Sequence, residues 1–219
     1  MSQKIDLNRL LKNSRVLTIS RVVFRILLPF YGGLKVGGHE NIPASGQVLI
    51  CPNHTTDLDP VVILAATNRP DLNALGKSEL FEIPVLGAYF HAMGAAPVIR
   101  DSPDRAALRT AEAILGAGRM LLIFPEGRCS QNGLLQELQP GAVMLSLRTG
   151  APIIPTGIRG ARNILPYGDY IPRFAGGGVR VTFGRALLPS NYRGLSRKEA
   201  QSSMMDDLRR ALNDLTGQC

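Results

Sequence analysis

Gln47-Val48-Leu49-Ile50-Cys51-Pro52-Asn53-His54-Thr55-Thr56-Asp57-Leu58-Asp59-Pro60 passes from strand to loop to helix in one short stretch. Gln47 to Cys51 is a brief apolar run between turn formers, the pattern of a buried strand. Proline favours the first turn of a helix and an Asp before it suits a cap, so a helix is expected over Pro60–Thr67. The residues between them form a loop at the strand's C-terminal end, where α/β sheets place their sites.

The same alternation continues outward. Apolar runs at Leu72–Leu75, Pro97–Ile99, Met120–Phe124, Pro152–Thr156 and Val179–Phe183 alternate with helical patterns at Pro84–Met93, Pro103–Gly116 and Gly141–Arg148. Ser196–Leu215 carries Met204, Met205, Leu208, Leu212 and Leu215 at helical spacing, the pattern of a helix that closes a core. These runs predict an α/β fold with a mostly parallel or mixed central sheet flanked by helices. The 219 residues suit one such domain, at roughly 150 residues per domain. With 45% hydrophobic residues, 5% aromatics and no Trp, the chain can fill an aliphatic core but offers little to stack on bases, and no nucleic-acid partner is expected.

The net charge of +8 is concentrated at the N-terminus, where Lys4, Arg9, Lys12, Arg15, Arg21, Arg25 and Lys35 face one acid, Asp6. Arg21 and Arg25 interrupt the apolar series Val16 to Phe30 before it reaches the ~18 residues a spanning helix needs, and they recur where a signal peptide would be uncharged. The pattern predicts an interfacial helix over residues 1–35, with apolar residues at the acyl boundary and arginines at anionic headgroups. The plainer reading is a basic helix packed on its own domain. Gly32, Gly33, Gly37 and Gly38 end this segment, so the main domain is drawn at 36–219. Cys51, Cys129 and Cys219 are odd in number and at no metal-like spacing, which fits a reducing compartment. Together these features place the chain at the cytoplasmic face of a membrane, as a peripheral or monotopic protein.

His54 followed by Asp59 suggests an imidazole base oriented by a carboxylate, the acid-base half of a nucleophilic triad. Five residues of ideal helix rotate by about 140° from one face, so the two meet only if the loop bends. Asp57 is a rival partner, spacing alone does not choose between the two aspartates, and Asp59 reads equally well as a helix cap. No Gly-x-Ser-x-Gly elbow is present, so the base would activate a hydroxyl brought by the substrate.

Met120-Leu121-Leu122-Ile123-Phe124 is a second buried-strand pattern, stopped by Pro125. Glu126-Gly127-Arg128 then sets a glycine, open to close approach, between a carboxylate and a guanidinium suited to phosphate. Alone, this is a surface Glu-Arg pair. Arg100 and Lys77 follow other strand patterns and would reach the same sheet edge. Gly76-Lys77-Ser78 is no phosphate-binding loop of the nucleotide hydrolases, because that motif needs glycine where Asp71 stands. His39 and His91 are read as structural or surface residues.

Taken together these residues resemble the glycerolipid, lysophosphatidate-type acyltransferase family. Asn53, His54 and Asp59 are in register with its Asn-His-x-x-x-x-Asp block. Gly94 to Arg100 looks like its second block, Phe124 to Gly127 is its Phe-Pro-Glu-Gly, and Ala151 to Pro155 looks like its proline-rich strand. The resemblance implies transfer of a fatty acyl group from acyl-CoA or acyl carrier protein to the free hydroxyl of a lysophospholipid, above all 1-acyl-sn-glycerol-3-phosphate, with no metal and no resident cofactor. It implies His54 as base, Asp59 as its partner, and Lys77, Arg100, Glu126, Gly127 and Arg128 around the acceptor, with backbone N–H groups near Gly127 holding the oxyanion. Two departures concern the headgroup: Arg128 directly follows Gly127 where Gly-Thr-Arg is commonest, and Gln139 stands where many members have lysine. A non-catalytic lipid-binding protein of the same fold is the alternative.

Overall fold

Strand β2 (Val48–Pro52) is buried at every position, as a strand must be when both faces of its sheet are covered. Val48 and Ile50 join Met120, Leu122 and Ile154 on one face, while Leu49 and Cys51 join Leu121 and Ile153 on the other. A computed structural model describes residues 15–98, 105–174 and 176–218. Around β2 it assembles β1 (Leu34–Gly37), β3 (Leu72–Lys77), β4 (Ala95–Val98), β5 (Met120–Leu122), β6 (Ile153–Arg159) and β7 (Val179–Phe183). The seven-stranded sheet runs β1-β7-β6-β2-β5-β3-β4. Every neighbouring pair is parallel except β6 with β7. The expected α/β fold with a mostly parallel sheet is the observed one.

Helices α1 (Arg15–Leu27) and α2 (Asp59–Ala66) cover the first face. On the second lie α4 (Arg105–Gly116), α5 (Gly141–Thr149) and α7 (Arg197–Thr216), while α3 (Pro84–Ala92) meets α1 through the Tyr89 hydroxyl on Ser20 and the short α6 (Ala161–Ile164) buries Ala161 and Ile164 in the first face. Helix α7 opens with a capping box, in which the Ser196 side chain accepts from the Glu199 N–H and Glu199 accepts from the Ser196 N–H. It lies so close to β6 that a Cβ on Gly157 would sit 2.7 Å from Leu215, so only glycine fits there.

Three of the differences from the sequence reading have a clear physical cause. β5 ends at Leu122 rather than Phe124, because the chain leaves the ladder early and carries Phe124 toward the loop after β2. β6 runs on to Arg159 because antiparallel β7 pairs with its second half. β1 occupies a stretch read as turn: its pairing with β7, Leu34 to Val179 and Val36 to Val181, is long-range and leaves almost no local signal. The boundary drawn at residues 35 and 36 therefore falls inside a strand.

Helix α1 uses its arginines differently from the expectation. Arg21 is buried and donates to Leu64 O and Arg69 O, and Arg25 donates to Ala65 O, Thr67 O and the Asn68 side chain. These carbonyls lie at and just beyond the C-terminal end of α2, where cations are favoured. Arg21 and Arg25 thus fasten α1 to its own domain instead of reaching outward to headgroups. The opposite side of the segment exposes Ile19, Val22, Val23, Ile26, Leu27 and Phe30 at helical spacing. Residues 1–14 of the expected N-terminal helix lie outside the described residues.

Candidate active site

The C-terminal ends of β2, β5, β3 and β4 adjoin along one sheet edge, and the loops that follow them carry the residues singled out above. After β2 the backbone is locked first by Asn53, whose side chain exchanges hydrogen bonds with the carbonyl and N–H of Ile158 on β6. The chain then bends so that Asp59, at the start of α2, folds back over the loop. Its Oδ2 accepts the N–H of Thr55 at 2.6 Å and of Thr56 at 2.9 Å, and lies 3.0 Å from His54 Nδ1.

That geometry chooses between the two aspartates: Asp59 is fully buried against the imidazole, and Asp57 is exposed. Asp59 is not the helix cap, since Leu58 holds that position without a side-chain bond. A carboxylate oxygen only accepts, so the histidine hydrogen sits on Nδ1 and Nε2 is left as the acceptor. Nε2 has no partner among the described residues. The side chain is only 8% exposed and its ring stacks on Phe124, with centroids 3.9 Å apart, which fixes its plane. The other carboxylate oxygen, Asp59 Oδ1, is buried without a hydrogen-bond partner among the described residues.

The turn after β5 grips this loop. Glu126 is 1% exposed; its Oε1 accepts the His54 N–H at 2.6 Å and its Oε2 accepts the Gln136 N–H at 2.7 Å. Burial pushes its carboxyl above the usual glutamate range, against the pull of the two backbone donors. Glu126 therefore sits as a brace behind His54, with both oxygens committed. Ser130 N–H donates to His54 O at 2.7 Å, and Arg162 on α6 donates to Ser130 O and Gln131 O. Cys129 is half-buried in the same turn, and burial, with the charges of Asp59, Asp57 and Glu126, pushes its thiol up to about 12.

Gly127 has φ +69°, a conformation that calls for glycine, and a Cβ there would press on Gln139 Cγ at 3.3 Å. Its N–H closes a turn onto Phe124 O at 3.1 Å. That amide is thus committed within the turn rather than open to an oxyanion. Arg128 follows, exposed at the edge. Lys77 ends β3 and pairs with Glu79 at 3.5 Å. Arg100 lies outside the described residues. Ser130, Gln136 and Arg162 were not foreseen: their partners, His54, Glu126 and the Ser130 and Gln131 carbonyls, are brought to them only by the tertiary fold.

The sequence model of the family described as Acyltransferase matches residues 33–159, which contain this whole cluster except Arg162. The chain belongs to the acyltransferase family. Curated relatives of this acyltransferase include the 1-acyl-sn-glycerol-3-phosphate acyltransferase of Bacillus subtilis, 25% identical over 87% of this chain and 92% of the relative. A protein of the same name from Borreliella burgdorferi is 33% identical over 60% of this chain and 54% of its own length. The chloroplastic BAT2 enzyme of Brassica napus is 30% identical over 65% of this chain and 42% of the relative. The acyltransferase thus spans nearly all of the Bacillus protein and about half or less of the other two. Its fold is that of the 1-acyl-sn-glycerophosphate acyltransferase PlsC of Thermotoga maritima, with a TM-score of 0.73 at 24% identity, over 91% of this chain and 79% of that one.

Proposed function

We propose that this acyltransferase moves a fatty acyl group from an acyl-CoA or acyl carrier protein thioester to the free hydroxyl of 1-acyl-sn-glycerol-3-phosphate, giving phosphatidate for phospholipid synthesis. The observation that carries the reading is the His54–Asp59 pair, 3.0 Å apart, with Nδ1 committed and Nε2 left to accept a proton. The names of the three curated relatives support the acceptor. His54 Nε2 takes the hydroxyl proton as the oxygen attacks the thioester carbonyl. The C–O bond forms, the C–S bond breaks, and the same proton passes to the departing thiolate. Asp59 holds the tautomer and stabilises the imidazolium. With the Gly127 amide taken, we assign the oxyanion to the next N–H along, that of Arg128, a term worth ~3 kcal/mol per donor. Arg128, Lys77 and Arg100 are assigned to the acceptor phosphate. The thioester is a substrate, and the chemistry rests on side chains and backbone.

The exposed apolar stripe of α1 and the net charge of +8 support seating on a membrane surface with anionic lipids, on the cytoplasmic side. No helix among the described residues is long and apolar enough to cross a membrane. The test is a radiolabelled transfer assay on purified protein, with both donor types and a panel of lysolipids. His54→Ala should fold and lose transfer; full activity in that variant, or no transfer by the unaltered chain to any acceptor, would reject the assignment.

A further inference from the structure

The residues between α6 and β7 expose a second apolar group. Tyr167 is 44% exposed, Tyr170 93%, Ile171 79% and Phe174 82%. Single exposed apolar residues are ordinary on a protein surface, but four within one short loop are not. The loop is built rather than slack: its base is closed by the Arg173 N–H on Ile164 O at 2.7 Å, and an inner turn joins the Asp169 N–H to Pro166 O at 3.1 Å.

Two contacts tie it to features already described. Phe174 stacks on Tyr31, centroids 5.1 Å apart and planes within 15°, beside Phe30 and Leu27 at the end of the exposed α1 stripe. At the other end of the loop, Leu165 O accepts from the Thr56 hydroxyl, inside the loop that joins His54 to Asp59. The loop therefore connects the apolar face of α1 to the catalytic loop. We propose that residues 165–174 are a second, shallow bilayer-seating element, which with α1 sets the mouth of the active site at a lipid surface.

Continuity with the α1 stripe through the Tyr31–Phe174 stack argues for lipid as the occupant. So does composition, since tyrosine and phenylalanine around one isoleucine suit the headgroup boundary, where a ring is half wet. Arg173 pairs with Asp169 within the loop, so insertion here is apolar, while the basic chain as a whole is attracted to anionic lipid. The irregular backbone needs water for its remaining polar groups, which limits the depth to the headgroup and upper acyl region.

The inference rests on the membrane seating proposed above, and the test separates the two. The chain has no tryptophan, so one can be placed as the sole reporter. Full-length Tyr170→Trp and Ile19→Trp, both at exposed sites, are mixed with vesicles of phosphatidylglycerol and phosphatidylcholine in equal parts. The same vesicles carrying lipid brominated high on the acyl chain serve as quencher. Tyr170→Trp should shift to the blue and be quenched, and Tyr170→Ser with Ile171→Ser should weaken vesicle binding by about tenfold or more. No shift at position 170 beside a shift at position 19 would overturn the loop proposal and leave the α1 seating standing. No shift at either would overturn both. A blue emission at position 170 without vesicles, lost on dilution, would mean a second copy covers the loop and would likewise overturn it.

Discussion

The backbone of His54 is held at both ends by the turn that follows β5: its N–H donates to Glu126 Oε1 at 2.6 Å, and its carbonyl accepts from the Ser130 N–H at 2.7 Å. The Phe-Pro-Glu-Gly segment therefore shapes the position of the proposed base directly. Two loops from neighbouring strands lock together, and each determines where the other's functional atoms lie.

Glu126→Gln should lower kcat far more than it raises the acceptor KM, because the amide offers one acceptor where two backbone donors need two. Leaving one buried N–H unpaired costs about 1–3 kcal/mol in stability. The burial-raised pKa sets the sign with pH: folding favours the protonated carboxyl, so that stabilisation is present below the ordinary glutamate range and is lost as pH rises through the raised pKa. The Tm advantage of the unaltered protein over Glu126→Gln should be largest in acid and shrink toward neutrality, as thermal denaturation across pH would record.

Asp59→Asn should reduce kcat by about 10²–10⁴-fold, the usual scale for disabling an acid-base pair. Its Oδ2 now accepts from Thr55 N, Thr56 N and His54 Nδ1. An amide can turn its NH₂ toward the ring and favour the wrong tautomer. Asp57→Asn should leave kcat within about twofold, since Asp57 is exposed and it is Asp59 that holds the imidazole. Steady-state kinetics on both variants checks the choice between the aspartates.

Arg21→Ala should destabilise the fold by about 1.5–3 kcal/mol, the scale for charge-assisted hydrogen bonds. Because this side chain is buried on the carbonyls at and beyond the end of α2, vesicle binding measured below the variant's Tm should be unchanged. Urea denaturation and vesicle flotation together separate a tether from a headgroup contact.

Cys129 should resist alkylation at neutral pH despite its place in the turn that grips His54. With the thiol pushed up to about 12, the thiolate fraction at pH 8 is on the order of 10⁻⁴, and labelling should accelerate about tenfold per pH unit above that. Peptide mapping after iodoacetamide treatment at stepped pH reads this site apart from the other cysteines.

How far the chain could be read in advance differs from element to element. Helices α2, α3, α5 and α7 fell within a residue or so of their sequence patterns, since apolar spacing and capping residues are local. His54, Asp59 and Phe124–Gly127 were legible as blocks for the same reason. Strand β1 was not, because only its pairing with β7 makes it a strand. Glu126 looked like a substrate ligand until its partners, His54 and Gln136, were in place. The arginines of α1 looked lipid-facing until α2 supplied carbonyls for them.

By itself, then, the sequence determined the α/β alternation, the two blocks proposed to carry the chemistry and the apolar, basic character of the N-terminal segment. Each of these depends on residues within a few turns of one another. Tertiary structure alone decided that Asp59 rather than Asp57 meets the imidazole, that Gly127 spends its amide on Phe124, and that Glu126 braces His54. Those outcomes depend on hydrogen-bond partners brought together by placing β2 between β5 and β6, and the strength and sense of a hydrogen bond reside in a geometry that spacing along a chain does not encode.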